Sequence, residues 1–469
     1  MTQLTGRVHI IGAGGSGMSG IARVLLARGI AVSGSDAKQS RRLSALEPLG
    51  ARVYIGHDPD QMVAGGNPDV VVVSTAIDQS NPEIVFAKEL GIPVIHRKEA
   101  LAELVQGHIG VSVSGCHGKT TTTSMMTIVL QHAGLDPSFV IGSEMNESGS
   151  NAHQGSGPHF VVEADESDAT FLALPTKAAI VTNIEPDHLN FWQTFDALEQ
   201  AYVDFMIKPM ERDGFTVTCG DDPGVQKVLH QVQASGARVI TYGTEPNNDA
   251  VVTLLPQQSV GCVFTIDYGG ATYGPVQLAV PGRHNALNAT AAFLTALELG
   301  ADINGVIAGL EAYTGAHRRF EFRGETHGIR VFDDIAHHPT EVDAVLRAAR
   351  NVAGNGKVII AFQAHHYYRT EMFMDEFATA LGLADFTVVL EIFAPGETPI
   401  PGISGVIMAG KVPLPAGQVV FEPSWSAVPE LLANQAEPGD VIMTLGGSDI
   451  GMMCPQIIDL IKQKFADVD

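Results

Sequence analysis

The sequence of 469 residues predicts an α/β fold in three domains built mainly on parallel sheets. The length corresponds to about three domains of roughly 150 residues each. Short apolar runs alternate with helical patterns along almost the whole chain, which is typical of parallel sheets covered by helices. Two glycine-rich turns, each placed between an apolar run and a helical pattern, have the form of nucleotide-binding loops.

The predicted domains differ in their pattern of strands. The first domain, residues 1–106, starts with an apolar strand and ends in a helix around residues 99–101. The second, residues 107–314, contains a stretch at 235–281 that resembles an antiparallel insertion, and the third, residues 315–469, again alternates strand and helix. The predicted strands lie at 8–11, 69–73, 109–113, 251–255, 262–266, 357–361, 386–390 and 440–444.

The first glycine-rich turn follows the first predicted strand and has the pattern of a nucleotide site. Its members are Gly12, Gly14, Gly15, Ser16 and Gly17. Asp36 follows about twenty residues later, where a dinucleotide-binding fold carries the acid that hydrogen-bonds a ribose. NAD and a uridine diphosphate would look alike in this pattern, and a glycine turn needed only for packing is the alternative.

The second glycine-rich turn is the strongest chemical motif and predicts a P-loop ATPase domain. Its residues are Gly115, Cys116, His117, Gly118, Lys119, Thr120 and Thr121. Glycines let backbone N–H groups surround phosphate oxygens, Lys119 adds charge at the terminal phosphates, and the Thr120 hydroxyl suits magnesium. A strict phosphate loop would have glycine where the chain has Val113, so the motif is a shortened variant. An ordinary strand-to-helix turn is the alternative.

Acidic residues follow two further predicted strands and are candidate magnesium ligands. The two loops contain Glu163, Asp165, Glu166 and Asp168, and Glu185, Asp187 and His188. Crowded carboxylates are costly unless they share a cation. Each loop alone could be a solvated acidic surface, but the preceding phosphate loop favours metal binding.

Polar and histidine-rich segments predict the remainder of the site. They lie at 281–288, 333–340 and 363–370. The first segment begins a helix, where its amides and imidazole could contact a base or ribose or only cap the helix. The other two follow strands that we expect to be adjacent, whose C-terminal ends would form the ligand edge of an open α/β sheet. Buried structural histidines are the alternative.

Composition limits the class of partner. Hydrophobic residues make up 45% of the chain and charged residues 17%, as in a globular protein. The formal net charge of −24 argues against a nucleic-acid partner, because a phosphate backbone needs a basic face. Small anionic ligands stay compatible with this charge, since backbone N–H groups and helix N-termini bind them.

The cysteines and the apolar runs predict a cytoplasmic location. Cys116, Cys219, Cys262 and Cys454 are widely spaced and form no C-x-x-C pair, which is typical of a reducing compartment. The chain starts without a signal peptide, and no run approaches about 18 uninterrupted apolar residues. We therefore expect no membrane insertion.

Taken together, these segments resemble the Mur ligase family over nearly the whole chain. The residues that carry the resemblance are Gly12 to Met18, Gly115 to Thr123, Glu163 to Asp168, His284, Asn285, Asn288, Arg318 to Glu321, Asp334, His337 to Glu341, Gly396 and Glu397. The resemblance implies a UDP-sugar-binding Rossmann-like first domain and a central ATP-binding domain. It also implies a Rossmann-like third domain that completes the ATP and amino-acid site.

The resemblance further implies a reaction, a step of peptidoglycan synthesis. ATP would convert the carboxylate of UDP-N-acetylmuramic acid to an acyl phosphate, and L-alanine would displace phosphate to form an amide. ATP and Mg²⁺ are the implied cofactors. The implied catalytic residues are Lys119, Glu166, His188, Arg319, His337 and Arg369. The implied magnesium ligands are Thr120, Glu166 and His188, and the implied adenosine contacts are His284, Asn285, Asn288 and Asp334.

The sequence departs from the family pattern in ways that bear on amino-acid selectivity. Ile335 stands where a Tyr is common, Ala364 where Pro is usual, and His366 where Arg is usual. Cys116 replaces a usual Thr in the phosphate loop, and 190–192 also differs from the common Asp-Thr-Tyr. A ligase that recycles a tripeptide onto the same UDP-sugar is the alternative within the family. An NAD-dependent oxidoreductase and a non-catalytic nucleotide-binding regulator are alternatives outside it, and a homodimer stays open.

Overall fold

A computed structural model describes residues 4–146, 148–256 and 260–466. The chain forms two compact units. The first unit comprises residues 1–253, 264–276 and 287–313, and the second comprises residues 254–263, 277–286 and 314–469. Within the described ranges, none of the helices combines the length and apolar character that crossing a membrane requires.

The first sheet is parallel and confirms the Rossmann-like first domain. Its strands are β1 (Arg7–Ile11), β2 (Ala31–Asp36), β3 (Arg52–Ile55), β4 (Val70–Val73) and β5 (Val94–His96). Its helices are α1 (Ser16–Ala27), α2 (Arg41–Ser44), α3 (Pro59–Val63), α4 (Pro82–Glu89) and α5 (Arg97–Val105). The strand order is β3-β2-β1-β4-β5. The order reverses beside β1, and such a switch point is where an open α/β sheet binds its ligand.

The central sheet places three strand ends around the phosphate loop. Its strands are β6 (Ile109–Ser114), β7 (Ser138–Val140), β8 (Ala152–His153), β9 (His159–Glu163), β10 (Thr176–Val181), β11 (Phe215–Cys219), β12 (Val239–Gly243), β13 (Ala250–Leu255), β14 (Cys262–Tyr268) and β15 (Ala271–Leu278). Its helices are α6 (Lys119–His132), α7 (Thr170–Ala173), α8 (Leu189–Trp192), α9 (Phe195–Ile207), α10 (Pro223–Ala234), α11 (Arg283–Glu298) and α12 (Ile303–Ala312). The strand order is β15-β14-β13-β12-β11-β10-β6-β9-β7-β8. Because β6 pairs in parallel with both β9 and β10, the loops after these strands meet at one edge.

The first strand of the predicted antiparallel insertion joins the central sheet in parallel. The strands expected at 251–255 and 262–266 are present as β13 and β14, but β13 pairs in parallel with β12. The register joins Tyr242 to Ala250 and Gly243 to Val251. An apolar run predicts a strand without specifying the direction of its partner, so the sequence pattern could not distinguish these pairings.

The third sheet belongs to the second unit and is parallel except at one edge. Its strands are β16 (Glu321–Thr326), β17 (Ile329–Asp334), β18 (Val358–Gln363), β19 (Phe386–Val389), β20 (Val419–Phe421) and β21 (Val441–Gly446). Its helices are α13 (Pro339–Ala353), α14 (Tyr367–Met372), α15 (Met374–Leu381), α16 (Gly405–Lys411), α17 (Val428–Gln435) and α18 (Cys454–Ala466). The strand order is β16-β17-β21-β18-β19-β20, and β16 is antiparallel to β17.

The expectation that β17 and β18 are neighbours is wrong. The last strand, β21, enters between them and pairs in parallel with both. Every residue of β18 is buried, as expected for a strand covered on both faces. Phe362 of β18 packs against Phe377 of α15, with ring centroids 5.5 Å apart, while Ile359 belongs to the core on the opposite face. The two polar loops still lie at the same edge of the sheet, separated by one strand.

Candidate active site

The phosphate loop connects β6 to α6 and requires glycine at two positions. Gly115 has a φ of +127°, and a Cβ atom there would lie 2.1 Å from the Thr182 hydroxyl. Gly118 has a φ of +82°, and its Cβ would lie 2.8 Å from Asn288 Oδ1. Both φ values are strained for residues that carry a side chain. The strand, glycine loop and helix predicted from the sequence are all present, and Lys119 is the first residue of α6.

Two residues that follow β10, Thr182 and Asn183, form hydrogen bonds to the phosphate loop. The sequence patterns did not identify them as part of the site. The His117 N–H donates to Asn183 Oδ1 at 2.9 Å, and the Asn183 amide donates to the His117 carbonyl at 3.0 Å. The Thr182 hydroxyl donates to the same carbonyl at 2.5 Å. These bonds fix the middle of the loop. The available signal was only that Thr182 and Asn183 follow an apolar run and precede the second acidic loop.

The unusual Cys116 fits the loop as a buried thiol. Its Sγ donates to the Glu185 carbonyl at 3.1 Å and accepts from the Glu185 N–H at 3.1 Å. Burial, together with the nearby Glu166 carboxylate, raises the pKa of the Cys116 thiol well above its usual range. The thiol therefore stays protonated and serves as a packing group, as expected if phosphate is bound mainly by backbone N–H groups of the loop.

A buried ion pair lies at the start of α6. Lys119 Nζ donates to Glu166 Oε1 and to the Gly115 carbonyl, each at 2.7 Å, and lies 3.3 Å from the Cys116 carbonyl. Burial alone would lower the pKa of Lys119, but the carboxylates of Glu166 and Asp165 raise it well above its usual range. Burial raises the pKa of Glu166, whose side chain is completely buried. Lys119 is therefore a fixed cation at the loop.

The first turn of α6 also contains a candidate metal-binding hydroxyl. Thr120 and Thr121 are both buried, and the Thr120 hydroxyl lies 3.2 and 3.1 Å from the two carboxylate oxygens of Glu163. Glu163 Oε2 also accepts from the Gly142 N–H at 2.8 Å. Glu163 ends β9 and was part of the predicted acidic run. Glu163 is therefore a further candidate ligand beside Thr120 and Glu166, whose predicted binding of magnesium stays a prediction.

The donors around Glu166 fit a divalent cation. Glu166 Oε2 is buried and has no hydrogen-bond partner among the described residues. His188 Nε2 lies 3.7 Å from Glu166 Oε1 and 3.5 Å from Asp187 Oδ2. His188 has a φ of +53°, a strained conformation that is found disproportionately at functional sites. Carboxylate and hydroxyl oxygens are the ligands that magnesium prefers, so these residues could hold that ion.

The first glycine turn is held by the end of β2. The N–H groups of Gly12 and Ala13 donate to the Ser35 carbonyl at 2.8 and 3.0 Å. The Gly14 N–H donates to Asp36 Oδ2 at 2.9 Å, and a Cβ at Gly14 would lie 2.9 Å from the same oxygen. Asp36 therefore shapes the loop. Its predicted ribose contact, and the contacts predicted for the other members of the turn, stay predictions.

The predicted adenosine residues of the second unit include two buried titratable groups. Asp334 accepts from the N–H groups of Phe320 and Ala336, each at 2.7 Å. Burial raises the pKa of Asp334 to about 6, although nearby Arg319 opposes this effect. Burial lowers the pKa of His284 to about 4, so its imidazole is neutral near pH 7. Both groups lie in segments identified from the sequence.

Two further predicted residues have structural contacts at helix starts. The Asn285 amide donates to the Pro281 carbonyl at 2.7 Å, a bond at the start of α11. Arg319 Nη1 lies 3.7 Å from Glu341 Oε1 in the first turn of α13. Of the two interpretations offered for the 281–288 segment, the Asn285 contact fits the structural one, and adenosine binding by this residue stays a prediction.

The polar loops after β17 and β18 bring three histidines together. The rings of His337 and His365 have centroids 5.9 Å apart, and those of His365 and His366 are 3.8 Å apart. Burial and the neighbouring His366, His337 and Arg369 lower the pKa of His365 to about 3. His366 Nδ1 is hydrogen-bonded to Glu397. The unusual His366 is therefore anchored by a carboxylate.

Arg369 lies in the same cluster and is almost fully buried. Its side chain lies over the Tyr368 ring, with the guanidinium carbon 5.6 Å from the ring centroid. His337 Nδ1 lies 2.8 Å from the Ile335 carbonyl, which orients its ring. The structure thus brings His337 and Arg369 to one edge of the third sheet, as the two loops were expected to do.

Three family models match successive parts of the chain. The Mur ligase family catalytic domain matches residues 7–108, and the Mur ligase middle domain matches residues 113–296. The third, the glutamate ligase domain of Mur ligases, matches residues 318–447. The matches follow the order of the three predicted domains.

Curated relatives match over almost their full length. The chain is 51% identical to UDP-N-acetylmuramate--L-alanine ligase of Acidothermus cellulolyticus over 461 residues, 98% of this chain and 96% of the relative. It is 49% identical to the ligase of the same name from Saccharopolyspora erythraea, over 99% of this chain and 95% of the relative. Neither comparison leaves a domain of this chain unmatched.

Solved structures show the same architecture. The crystal structure of UDP-N-acetylmuramate-alanine ligase from Thermotoga maritima matches with a TM-score of 0.80 and 26% identity, over 98% of this chain and 99% of that one. A murein peptide ligase from Psychrobacter arcticus matches with a TM-score of 0.68 and 23% identity, over 97% of this chain and 98% of that one. The similarity to the murein peptide ligase shows a shared fold alone.

Proposed function

The chain belongs to the Mur ligase family, and from that premise we propose that it is an ATP-dependent ligase that joins L-alanine to UDP-N-acetylmuramic acid. The buried pair of Lys119 and Glu166 carries the proposal, because it puts a fixed cation at the phosphate loop of a chain similar to such ligases over 98% of its length. The products are UDP-N-acetylmuramoyl-L-alanine, ADP and phosphate, in peptidoglycan synthesis. The tripeptide-recycling alternative has weaker support, because the murein peptide ligase of Psychrobacter arcticus is 23% identical to this chain, against 51% for the alanine ligase of Acidothermus cellulolyticus.

The chemistry requires activation of a carboxylate. An amine does not displace oxide from a carboxylate at neutral pH, so the muramic carboxylate oxygen first attacks the γ-phosphorus of ATP. ADP leaves, and an acyl phosphate results. The amine nitrogen of L-alanine then attacks the carbonyl carbon, phosphate leaves with the former carboxylate oxygen, and the nitrogen loses a proton.

Phosphoryl transfer depends mainly on position and charge neutralisation. Lys119 supplies a fixed positive charge at the terminal phosphates, and the glycines of the loop allow backbone N–H groups to approach them. Bound magnesium would neutralise charge on the transferred phosphoryl group. Thr120, Glu163 and Glu166 would hold that ion, and His188 would assist a second one.

The remaining roles follow the sequence predictions. The first glycine turn and Asp36 bind the UDP moiety, while His284, Asn285, Asn288 and Asp334 contact adenosine. Arg319 stabilises the transferred phosphoryl group. His337 and Arg369 contact the reacting substrates, and the planar guanidinium of Arg369 suits a carboxylate. The Asp334 carboxylate also holds the backbone of Phe320 and Ala336 by accepting their two N–H groups.

Location and assembly belong to the same proposal. A cytoplasmic location is supported by the burial of all four cysteines and by the use of ATP and a UDP-sugar. The homodimer left open by the sequence would be tested by light scattering of the purified chain.

An amide-formation assay tests the proposed function. The chain is incubated with ATP, magnesium and UDP-N-acetylmuramic acid, and L-alanine, glycine, L-serine or L-Ala-D-Glu-diaminopimelate is added separately. We expect phosphate release and a new amide with L-alanine, because the curated relatives carry that name. Turnover with the tripeptide alone would support the recycling ligase instead, and ATP binding without turnover in any mixture would support a regulator.

A further inference from the structure

Arg97 reaches the acidic loop of the phosphate site from the first sheet. It is the first residue of α5, directly after β5, and belongs to no motif identified in the sequence. Its Nη2 donates to Asp165 Oδ2 at 3.1 Å and to Asp168 Oδ2 at 2.8 Å. The Arg97 side chain is only 23% exposed, so solvent screens these ion pairs weakly.

The other end of the guanidinium faces the first turn of α1. A Cβ atom at Gly17 would lie 3.1 Å from Arg97 Nη1 and 3.2 Å from Arg97 Cδ. A side chain at this position would crowd the arginine, which gives Gly17 a packing role beside its predicted contact with the UDP-sugar. A pyrophosphate at this helix start would lie beside a planar group that has five N–H donors.

The two aspartates bound by Arg97 also hold the acidic loop in shape. Asp165 Oδ1 accepts from the Ser167 N–H at 3.0 Å, and Asp168 Oδ1 accepts from the Thr170 N–H at 3.1 Å. Each carboxylate therefore uses one oxygen for the loop backbone and the other for Arg97. Loss of Arg97 would leave both loop-shaping carboxylates without their shared cation.

Glu166 lies within this loop and depends on its position. Its carboxylate accepts from Lys119 at 2.7 Å, and its carbonyl accepts from the Trp192 indole N–H at 3.0 Å. Asp165, the residue before Glu166, is bound to Arg97 through Oδ2 at 3.1 Å. A displacement of the loop would move Glu166 away from Lys119.

We propose that Arg97 is a positioning residue that couples the UDP-sugar site to the ATP site. An anion bound at the first turn of α1 orders the guanidinium through Nη1. Nη2 then fixes Asp165 and Asp168, and the loop between them holds Glu166 against Lys119. The inference rests on the proposed function, because it takes the first glycine turn as the site of the UDP-sugar.

Titration calorimetry tests the coupling. The affinity for adenylyl imidodiphosphate, a non-hydrolysable ATP analogue, is measured with magnesium, with and without saturating UDP-N-acetylmuramic acid. Coupling between two binding sites typically changes affinity about 5- to 150-fold. We expect at least about fivefold tighter analogue binding in the wild type with the UDP-sugar present, and less than about twofold in Arg97→Gln. Arg97→Lys, which keeps the charge without the planar fork, should be intermediate.

Arg28→Gln is the matched control. Arg28 donates to Gln154 Oε1 at 2.7 Å and to the Leu104 carbonyl at 2.9 Å. It is therefore a second partly buried arginine that connects distant segments, but these bonds do not involve the acidic loop. This variant should keep the wild-type coupling factor. An unchanged factor in Arg97→Gln, or an equal loss in Arg28→Gln, would overturn the role of Arg97.

The same experiments separate this inference from the proposed function. A wild-type coupling factor of one, with amide formation intact, overturns the coupling alone. Failure of the wild type to bind UDP-N-acetylmuramic acid overturns both. If Arg97→Gln does not fold, the inference stands or falls on whether Arg97→Lys has a smaller coupling factor than the wild type.

Discussion

Replacing Lys119 with methionine should separate its effect on stability from its effect on phosphoryl transfer. The substitution keeps an unbranched side chain of similar length and removes the ammonium that pairs with Glu166 at 2.7 Å. Glu166 is completely buried, so its carboxylate would lose its ionic partner where water cannot replace it. The variant should therefore be less stable and should also have a strongly reduced kcat.

The structure sets the size of the stability effect. Removing one member of a buried ion pair costs about 3–5 kcal/mol, and the partial exposure of Lys119, at 14%, places this pair near the lower end. In a domain of this size each kcal/mol lowers the melting temperature by about 2–4 °C, so about 3 kcal/mol corresponds to about 6–12 °C. Loss of one preorganised charge should also reduce kcat by about 10²–10³-fold.

The pH dependence has a definite sign. Burial already raises the pKa of Glu166, and Lys119 opposes this rise, so the pKa should be higher still in Lys119→Met. A carboxyl group with a raised pKa in the folded state contributes its full stability below the unfolded pKa of about 4.3. That contribution is lost as pH rises through the folded pKa. The loss in free energy of unfolding of Lys119→Met relative to the wild type should therefore be larger at pH 8 than at pH 5.5.

Calorimetric melting of four proteins provides the test: wild type, Lys119→Met, Glu166→Gln and the double variant. The double variant should recover most of the lost melting temperature, because its neutral amide no longer needs a cation. Its kcat should remain as low as that of Lys119→Met. A melting temperature of Lys119→Met equal to that of the wild type at pH 8, or a double variant as unstable as Lys119→Met, would refute the reasoning.

Three further substitutions or treatments test the phosphate loop. Gly118→Ala should weaken the binding of an ATP analogue at least about tenfold, because φ at this position is +82° and the new Cβ would lie 2.8 Å from Asn288 Oδ1. Titration calorimetry would measure the affinity, and an unchanged affinity would contradict this prediction. Cys116 in the folded chain should resist iodoacetamide at pH 8 and react only after unfolding, because burial raises the pKa of its thiol. Mass spectrometry would detect the label, and rapid labelling of Cys116 in the folded chain would contradict this prediction. Asn183→Ala removes two hydrogen bonds to His117 and should lower the free energy of unfolding by about 1–3 kcal/mol. A denaturant titration that shows no loss of stability would contradict the role of Asn183 in holding the loop.

The phosphate loop could be predicted because its signals are local. Glycine at 115 and 118, a strand before them and Lys119 after them lie within one short segment, and each has a direct structural meaning. The first glycine turn was predictable for the same reason. Its bond from the Gly14 N–H to Asp36 spans 22 residues, a separation that the fingerprint itself includes.

Contacts between distant segments could not be predicted in this way. Asn183 and His117 are 66 residues apart, and Arg97 and Asp168 are 71 residues apart. Hydrophobic periodicity identifies strands and helices without giving their order in a sheet, so the insertion of β21 between β17 and β18 was also hidden. The contact of the Thr120 hydroxyl with Glu163 depends on where β9 ends beside β6.

The most direct test of the central claim follows one oxygen atom. UDP-N-acetylmuramic acid labelled with ¹⁸O in both oxygens of its muramic carboxylate is incubated with the chain, ATP, magnesium and L-alanine, and the phosphate is analysed by mass spectrometry. If an acyl phosphate forms, each turnover transfers one ¹⁸O to phosphate and leaves the other in the amide. Phosphate that carries no ¹⁸O while amide accumulates would contradict the account.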